Sequence, residues 1–92
     1  MQIEVTGRKI ELTPSIVEKV NSSFEKLNEH YSGLSAKLIF EKEHRCFRAL
    51  AEYTCEHGEQ FVASAEHEDL YQAINKSCDK LRGQLASNKR TH

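Results

Sequence analysis

Three consecutive segments between Ala36 and Glu66 alternate apolar or small residues with polar ones. A period of two places successive side chains on opposite faces of a β-strand. Short polar connections at 43–46 and 56–59 separate the segments, so the sequence predicts an antiparallel meander of three strands. The residues assigned to its buried face are Ala36, Leu38 and Phe40, then Phe47, Ala49, Ala51, Tyr53 and Cys55, and finally Phe61, Ala63 and Ala65.

Helical periodicity flanks the meander on both sides. Thr13-Pro14 predicts a helix start, because threonine can accept a hydrogen bond as the N-cap and proline suits the first position. Gly33 is expected to end this helix in a left-handed cap. The second helix is expected from about Asp69. The apolar stripes are Ile16, Val20, Phe24, Leu27 and Tyr31 in the first helix and Leu70, Ile74, Cys78, Leu81 and Leu85 in the second.

A short strand near the N-terminus completes the pattern, with Ile3 and Val5 alternating with polar neighbours before Gly7. The predicted order is therefore β-α-β-β-β-α. Residues 1–92 are sufficient for one domain with a single modest core. We predict an α+β fold, a two-layer sandwich in which a four-stranded sheet carries both helices on one face.

Charge is unevenly distributed along a chain whose net charge is −1. Residues 41–69 carry eight acids and three bases, whereas residues 70–92 carry five bases and one acid. Separated cations on a rigid helical layer suit separated phosphates, so we predict recognition of structured RNA through its backbone and shape. The predicted RNA-binding residues are Lys19 and Lys26 in the first helix and Lys76, Lys80, Arg82, Lys89 and Arg90 in the second.

Zinc binding is the most tempting alternative chemistry, because His44, Cys46, Cys55 and His57 are all possible ligands. The predicted fold separates them, since the two cysteines stand at opposite ends of one strand, about 30 Å apart. We therefore predict no metal site. The sequence also has no phosphate-cradling glycine loop, no cofactor motif and no activated nucleophile, so we predict no cofactor and no enzymatic activity.

Two further clusters have structural explanations. The aromatic residues Phe47, Tyr53 and Phe61 could imitate base-stacking rings, but they lie on the face assigned to the core. The acids before the second helix suit the positive end of its dipole; these are Glu66, Glu68 and Asp69. No apolar run reaches the ~20 residues of a membrane span and no signal-peptide pattern occurs, so we expect a cytoplasmic protein without membrane contact.

Several motifs resemble those of the bacterial ribosome hibernation factors, which include the short hibernation promoting factor and the ribosome-associated inhibitor and are also described as sigma-54 modulation proteins. The motifs are Thr6-Gly7, Phe24-Glu25-Lys26-Leu27 with Tyr31, Ala63-Ser64-Ala65-Glu66, Asp69-Leu70-Tyr71, Ala73-Ile74, Asp79-Lys80-Leu81 and Gln84-Leu85. The resemblance covers nearly the whole chain. It implies the β-α-β-β-β-α fold, akin to a double-stranded-RNA-binding domain, with Lys26, Lys80 and Lys89 at basic positions of the family.

The resemblance also implies a function. Members of this family bind the small ribosomal subunit between head and body, where they overlap the messenger RNA and transfer RNA sites and stop initiation in stressed or stationary cells. The length resembles that of the short promoting factor, which acts with a separate ribosome modulation factor. The long forms add a dimerisation domain that is absent here, so we expect a monomer away from the ribosome.

Two alternatives remain open at the level of the sequence. The first is a protein-interaction module that modulates a transcription (sigma) factor through the acidic surface of residues 41–69. Its partner would be retained at high salt and would be indifferent to nuclease. The second is a generic double-stranded-RNA binder, which would bind plain duplexes tightly without ribosomes.

Overall fold

A computed structural model describes the backbone of residues 1–90 and the side chains of residues 1–87. Its elements follow the order predicted from the sequence. They are β1 (Gln2–Arg8), α1 (Pro14–His30), β2 (Gly33–Glu43), β3 (Cys46–Cys55), β4 (Gln60–His67) and α2 (Leu70–Arg90).

The four strands form one sheet in the order β1-β2-β3-β4. The first two strands pair in parallel, and the pairs β2–β3 and β3–β4 are antiparallel, which confirms the predicted meander. The register aligns one buried face across the sheet. Leu38 of β2, for example, lies opposite Ala51 of β3, which in turn lies opposite Ala63 of β4.

Both helices pack on this buried face, as predicted. Helix α1 contacts β1 and β2, whereas α2 contacts β3 and β4. Under α2 the sheet presents small side chains, so the helix can approach the strands closely; these residues are Ala49, Ala51, Ala63 and Ala65. The fully buried residues contributed by the helices include Val20, Phe24, Ile74 and Leu81.

Hydrogen-bonding side chains start both helices. Thr13 caps α1, its Oγ1 accepting from the N–H of Ile16 at 3.3 Å, with Pro14 in the first turn as predicted. Asp69 caps α2, its Oδ1 accepting from the N–H of Tyr71 at 2.9 Å. Asp69, which was expected to favour the positive end of the α2 dipole, therefore also caps the helix.

The prediction for Gly33 is wrong. Helix α1 ends at His30 with Tyr31 as an extended C-cap (φ −134°), and Gly33 opens β2 with its N–H donating to Asn28 Oδ1 at 2.8 Å. A Cβ at Gly33 would collide with the hydroxyl of Tyr53, which donates to the carbonyl of Tyr31 at 2.5 Å. Glycine is required here by this close approach, and not by a left-handed backbone.

The cysteines lie where the sequence predicted. Strand β3 begins at Cys46 and ends at Cys55, and Cys78 is 5% exposed within the core. Within the part of the chain that the structure describes, no group of three or more His, Cys, Asp and Glu side chains is placed to hold a metal ion. No helix in that part is both long enough and apolar enough to span a bilayer.

Candidate nucleic-acid interface

Cys78 of α2 is buried where the two helices pack together. Burial raises the pKa of its thiol to about 11, while the positive charges of Lys19 on α1 and Arg82 on α2 act to lower it. Both cations therefore lie within electrostatic range of this thiol, Arg82 four residues further along the same helix and Lys19 on the other helix.

Lys26 lies further along α1, toward its C-terminus. It lines an open cleft of about 580 Å³ together with Glu29, His30, Tyr31 and Arg82. On a helix, residues three or four apart share a face, so Lys19, Lys26 and His30 all border the space between α1 and α2. We call the surface formed by Lys19, Lys26, His30 and Arg82 the inter-helix groove.

Arg82 also has a carboxylate neighbour, Asp79, at 3.6 Å. The two side chains are 56% and 67% exposed, and an ion pair this exposed contributes little free energy. A phosphate could therefore replace Asp79 as the partner of Arg82 at small cost. Among the described side chains, Lys19 and Lys26 form no ion pair at all.

Lys80 lies on the other flank of α2. Two residues along a helix correspond to about 200° of rotation, so Lys80 and Arg82 point in nearly opposite directions. The Lys80 ammonium donates to the carbonyl of Ser64 at 2.7 Å, and Gln84 Nε2 donates to the carbonyl of Val62 at 2.9 Å. Both acceptors belong to β4, an edge strand whose outward carbonyls have no strand partner.

The structure thus divides the predicted RNA-binding residues. Lys26 and Arg82 line one cleft at the inter-helix groove, and Lys19 lies on the same face of α1 as Lys26. Lys76 is exposed one turn before Lys80 and shares the flank of α2 toward β4. The side chains of Lys89 and Arg90 lie outside the described residues. Helical spacing places His30 on the same face of α1 as Lys19 and Lys26, but His30 was not among the predicted RNA-binding residues.

The sheet face away from the helices also carries charged residues. Arg8, Glu41, Arg48 and Glu66 are successive neighbours across the four strands, so their signs alternate. Glu4, Lys37 and Glu52 form a second alternating row. A larger cleft of about 770 Å³ lies on this face between Glu4 and Glu52. Its two carboxylates would repel a phosphate. We therefore do not assign RNA binding to this cleft, although it is larger than the one between the helices.

Aromatic rings do not form a stacking platform on the open sheet face. Tyr53 is fully buried, and Phe47 and Phe61 pack against the core, which confirms their predicted assignment. Backbone phosphates are therefore the RNA groups that the inter-helix groove suits, as lysine and arginine contact them without reading sequence.

Comparisons with known proteins bear on the family and the fold of the chain. The model of the family described as "Sigma 54 modulation protein / S30EA ribosomal protein" matches residues 3–92. Similar proteins named ribosome hibernation promoting factor occur in Klebsiella oxytoca, with 32% identity, and in Escherichia coli K12, with 30% identity. Each alignment spans 89 residues, which are 97% of this chain and 94% of the relative.

Two solved structures are similar over almost their whole length. The N-terminal domain of Thermus thermophilus Protein Y is 28% identical, with a TM-score of 0.86 and coverage of 100% of both chains. A ribosomal subunit interface protein from Coxiella burnetii also has a TM-score of 0.86, with coverage of 98% of this chain and 99% of that one. At 22% identity, this second likeness is evidence for the fold alone.

Proposed function

The chain belongs to the family of the sigma 54 modulation protein and the S30EA ribosomal protein, and on this premise we propose that it is a ribosome hibernation factor. It binds the small ribosomal subunit between head and body and occupies the places of messenger RNA and transfer RNA. Translation then stops in stressed or stationary cells. Such a factor works in the cytoplasm by binding alone, without a cofactor or a catalysed reaction.

The placement of three cations from two helices along one groove is the observation that carries the RNA-binding part of this proposal. Lys26 of α1 and Arg82 of α2 line one cleft, and Lys19 shares the face of α1 that carries Lys26. The helices rest on a packed sheet, so the backbone positions that carry these cations are fixed before binding. We propose the ribosome as the RNA target because the relatives are named ribosome hibernation promoting factor.

The first prediction tests the inter-helix groove. A Lys26→Gln/Arg82→Gln variant should bind isolated small subunits at least tenfold more weakly at moderate salt, because it loses two phosphate contacts. Wild type should lose affinity steeply as salt rises, since each contact releases counterions. Co-sedimentation of purified protein with small subunits, across a series of salt concentrations, measures both effects.

Lys37→Gln is the matched control, because it removes one cation from the open sheet face and leaves the groove intact. It should bind within about twofold of wild type. Equal binding by wild type and the groove variant would contradict the proposed site. Binding of wild type to plain RNA duplexes as tightly as to subunits would instead identify a generic duplex binder. Failure to bind subunits at all would overturn the ribosomal function.

Separate assays address the remaining partners. In a lysate, hibernating ribosomes should carry the protein together with ribosome modulation factor, and the free protein should sediment as a monomer. A partner that stays bound at high salt and after nuclease treatment would favour the protein-interaction alternative over the ribosome.

A further inference from the structure

The hairpin formed by β2 and β3 extends beyond the strands beside it. The pairing of β1 ends at Arg8 with Glu41, and the pairing of β4 ends at Phe47 with His67. Residues 42–46 therefore have neighbours only within the hairpin. His44 adopts a left-handed backbone (φ 54°) in the two-residue turn, so the chain reverses abruptly there.

Four cations are exposed at or beside this projecting end, Arg8 on the open sheet face opposite Glu41 and Lys42 beside Phe47 on the other face. Lys42 and Arg45 are exposed on the hairpin itself. Arg8 and Lys9 are exposed at the end of β1, which lies about 5 Å from β2 in a hydrogen-bonded sheet. Lys9 has a left-handed backbone (φ 61°), which turns the chain away from the sheet. We call Arg8, Lys9, Lys42 and Arg45 the hairpin cluster.

Three acids lie near the hairpin cluster. Glu43, beside the turn, pairs with Arg48 at 3.7 Å. Glu41 lies between Arg8 of the cluster and Arg48 in the sheet register, so it offsets part of the charge of Arg8. Glu11 follows Lys9 in the connection to α1 and is exposed, so it reduces the positive charge without cancelling it. Among the described side chains, Lys42 and Arg45 form no ion pair.

Contacts within the hairpin also hold one of these cations in place. The Lys42 ammonium lies 5.8 Å from the centre of the Phe47 ring, on the facing strand. The remaining acids of this end are Glu66, within β4, and Glu68 and Asp69, just after it, and β3 separates that strand from β2 and β1. An anion would therefore approach the hairpin cluster from the side of β1.

The hairpin cluster and the inter-helix groove lie toward opposite ends of α1. The helix starts at Pro14, shortly after the end of β1, and finishes at His30 in the groove. A rise of 1.5 Å per residue makes it about 25 Å long. The hairpin cluster thus lies beside the start of α1, about 25 Å from the His30 end of the inter-helix groove, whereas Lys19 lies nearer to the start. One phosphate or its direct neighbours cannot reach from the hairpin cluster to that far end.

We propose that the hairpin cluster is a second phosphate-binding site, so that the protein bridges two separate backbone segments of folded RNA. This inference rests on the proposed function and defines its target more narrowly. A lone phosphate or a dinucleotide would occupy only one of the two sites, whereas folded RNA that holds two backbones at this distance occupies both. Shape, and not base sequence, then selects the target.

The test compares two double variants in the small-subunit binding assay. Lys42→Gln/Arg45→Gln should bind roughly tenfold more weakly than wild type. The slope of log affinity against log salt should fall in magnitude by about 1.5, as expected for two lost phosphate contacts. A charge-preserving Lys42→Arg/Arg45→Lys variant should recover wild-type binding. Lys37→Gln again serves as the control, and thermal unfolding checks that every variant is folded.

A second measurement locates the contacts. A photo-crosslinking amino acid placed at Arg45 should attach to a different segment of ribosomal RNA from one placed at Lys26. Binding of the hairpin variant equal to that of Lys37→Gln, with the groove variant still defective, would overturn the second site and leave the ribosomal function intact. Crosslinks from both positions to one short segment would also overturn it. Wild type that does not bind subunits would instead refute the proposed function.

Discussion

At the scale of single residues, Cys78 links the core to the inter-helix groove. Its thiol is 5% exposed, and burial raises its pKa to about 11 even though Lys19 and Arg82 act in the opposite direction. Desolvation therefore outweighs two nearby positive charges. The result fits a small apolar core residue and not a reactive thiolate, which would need a lowered pKa.

Burial of Cys78 predicts a specific alkaline instability. The thiol in the unfolded chain ionises near pH 9, whereas the folded one ionises near pH 11. The unfolded state therefore loses its proton first. The free energy of unfolding should be unaffected by this group below pH 9 and should fall between pH 9 and 11, by roughly 1–3 kcal/mol.

Urea unfolding at several pH values, for wild type and Cys78→Ala, isolates this contribution. Tyr53 and Cys55 also have raised pKa values through burial, so wild type and variant will both lose stability in alkali. Only the difference between them reports on Cys78, and it should narrow as the pH rises through this range. A difference that stays constant would contradict the assignment.

At the scale of the elements, two glycines show how differently one residue type can be constrained. A Cβ at Gly33 would meet the ring of Tyr53 at 2.6 Å and the sulfur of Met1 at 2.8 Å. A Cβ on Gly83, in the middle of α2, would meet nothing within 4 Å. Packing therefore explains the first glycine, whereas nothing in the described structure requires the second.

Alanine substitution should accordingly have opposite effects at these positions. Gly33→Ala should lower the free energy of unfolding by about 1–3 kcal/mol, because Tyr53 must shift within a packed core. Gly83→Ala should raise it by up to about 1 kcal/mol, because alanine favours the helix. Urea denaturation of both variants and wild type measures the two changes in the free energy of unfolding. Changes of the same sign in both variants would contradict this account.

Strands and helices were predictable from the sequence wherever the apolar residues follow a single period, two for a strand or 3.6 for a helix. The period of two through Ala36, Leu38 and Phe40 indicates a strand even though Ile39 is apolar, and the apolar stripe of α2 likewise identifies its buried side. The role of Gly33 was not predictable, since its neighbour Tyr53 is 20 residues away in the chain. The hydrogen bond from Lys80 to β4 was not predictable for the same reason. A helical wheel shows only the residues of one helix and not the carbonyls of a neighbouring strand.

At the scale of the whole molecule, the fold separates cations that stabilise it from cations left for a partner. The open sheet face alternates in sign across its strands, so its acids lie beside bases and the strong negative charge of residues 41–69 is partly offset locally. Lys80 helps to cover the edge of β4. Lys19 and Lys26 have no such internal role among the described side chains.

This division predicts that two lysines of the helical layer respond differently to the same substitution. Methionine keeps the length and helix propensity of lysine but has no charge. Lys80→Met should lower the free energy of unfolding by about 1 kcal/mol, because the Ser64 carbonyl loses its ammonium donor. Lys26→Met should leave stability within about 0.5 kcal/mol of wild type and should weaken small-subunit binding.

Measuring stability and binding on the same preparations separates the two roles. Gln84 donates to the next outward carbonyl of β4, that of Val62, as Lys80 donates to that of Ser64. If these bonds stabilise the edge of β4, Gln84→Met should lower the free energy of unfolding by about as much as Lys80→Met does. Unchanged stability in both variants would show that these side-chain hydrogen bonds to β4 do not stabilise the fold. The ammonium of Lys80 would then be free to leave Ser64, and α2 would offer cations to RNA on both of its flanks.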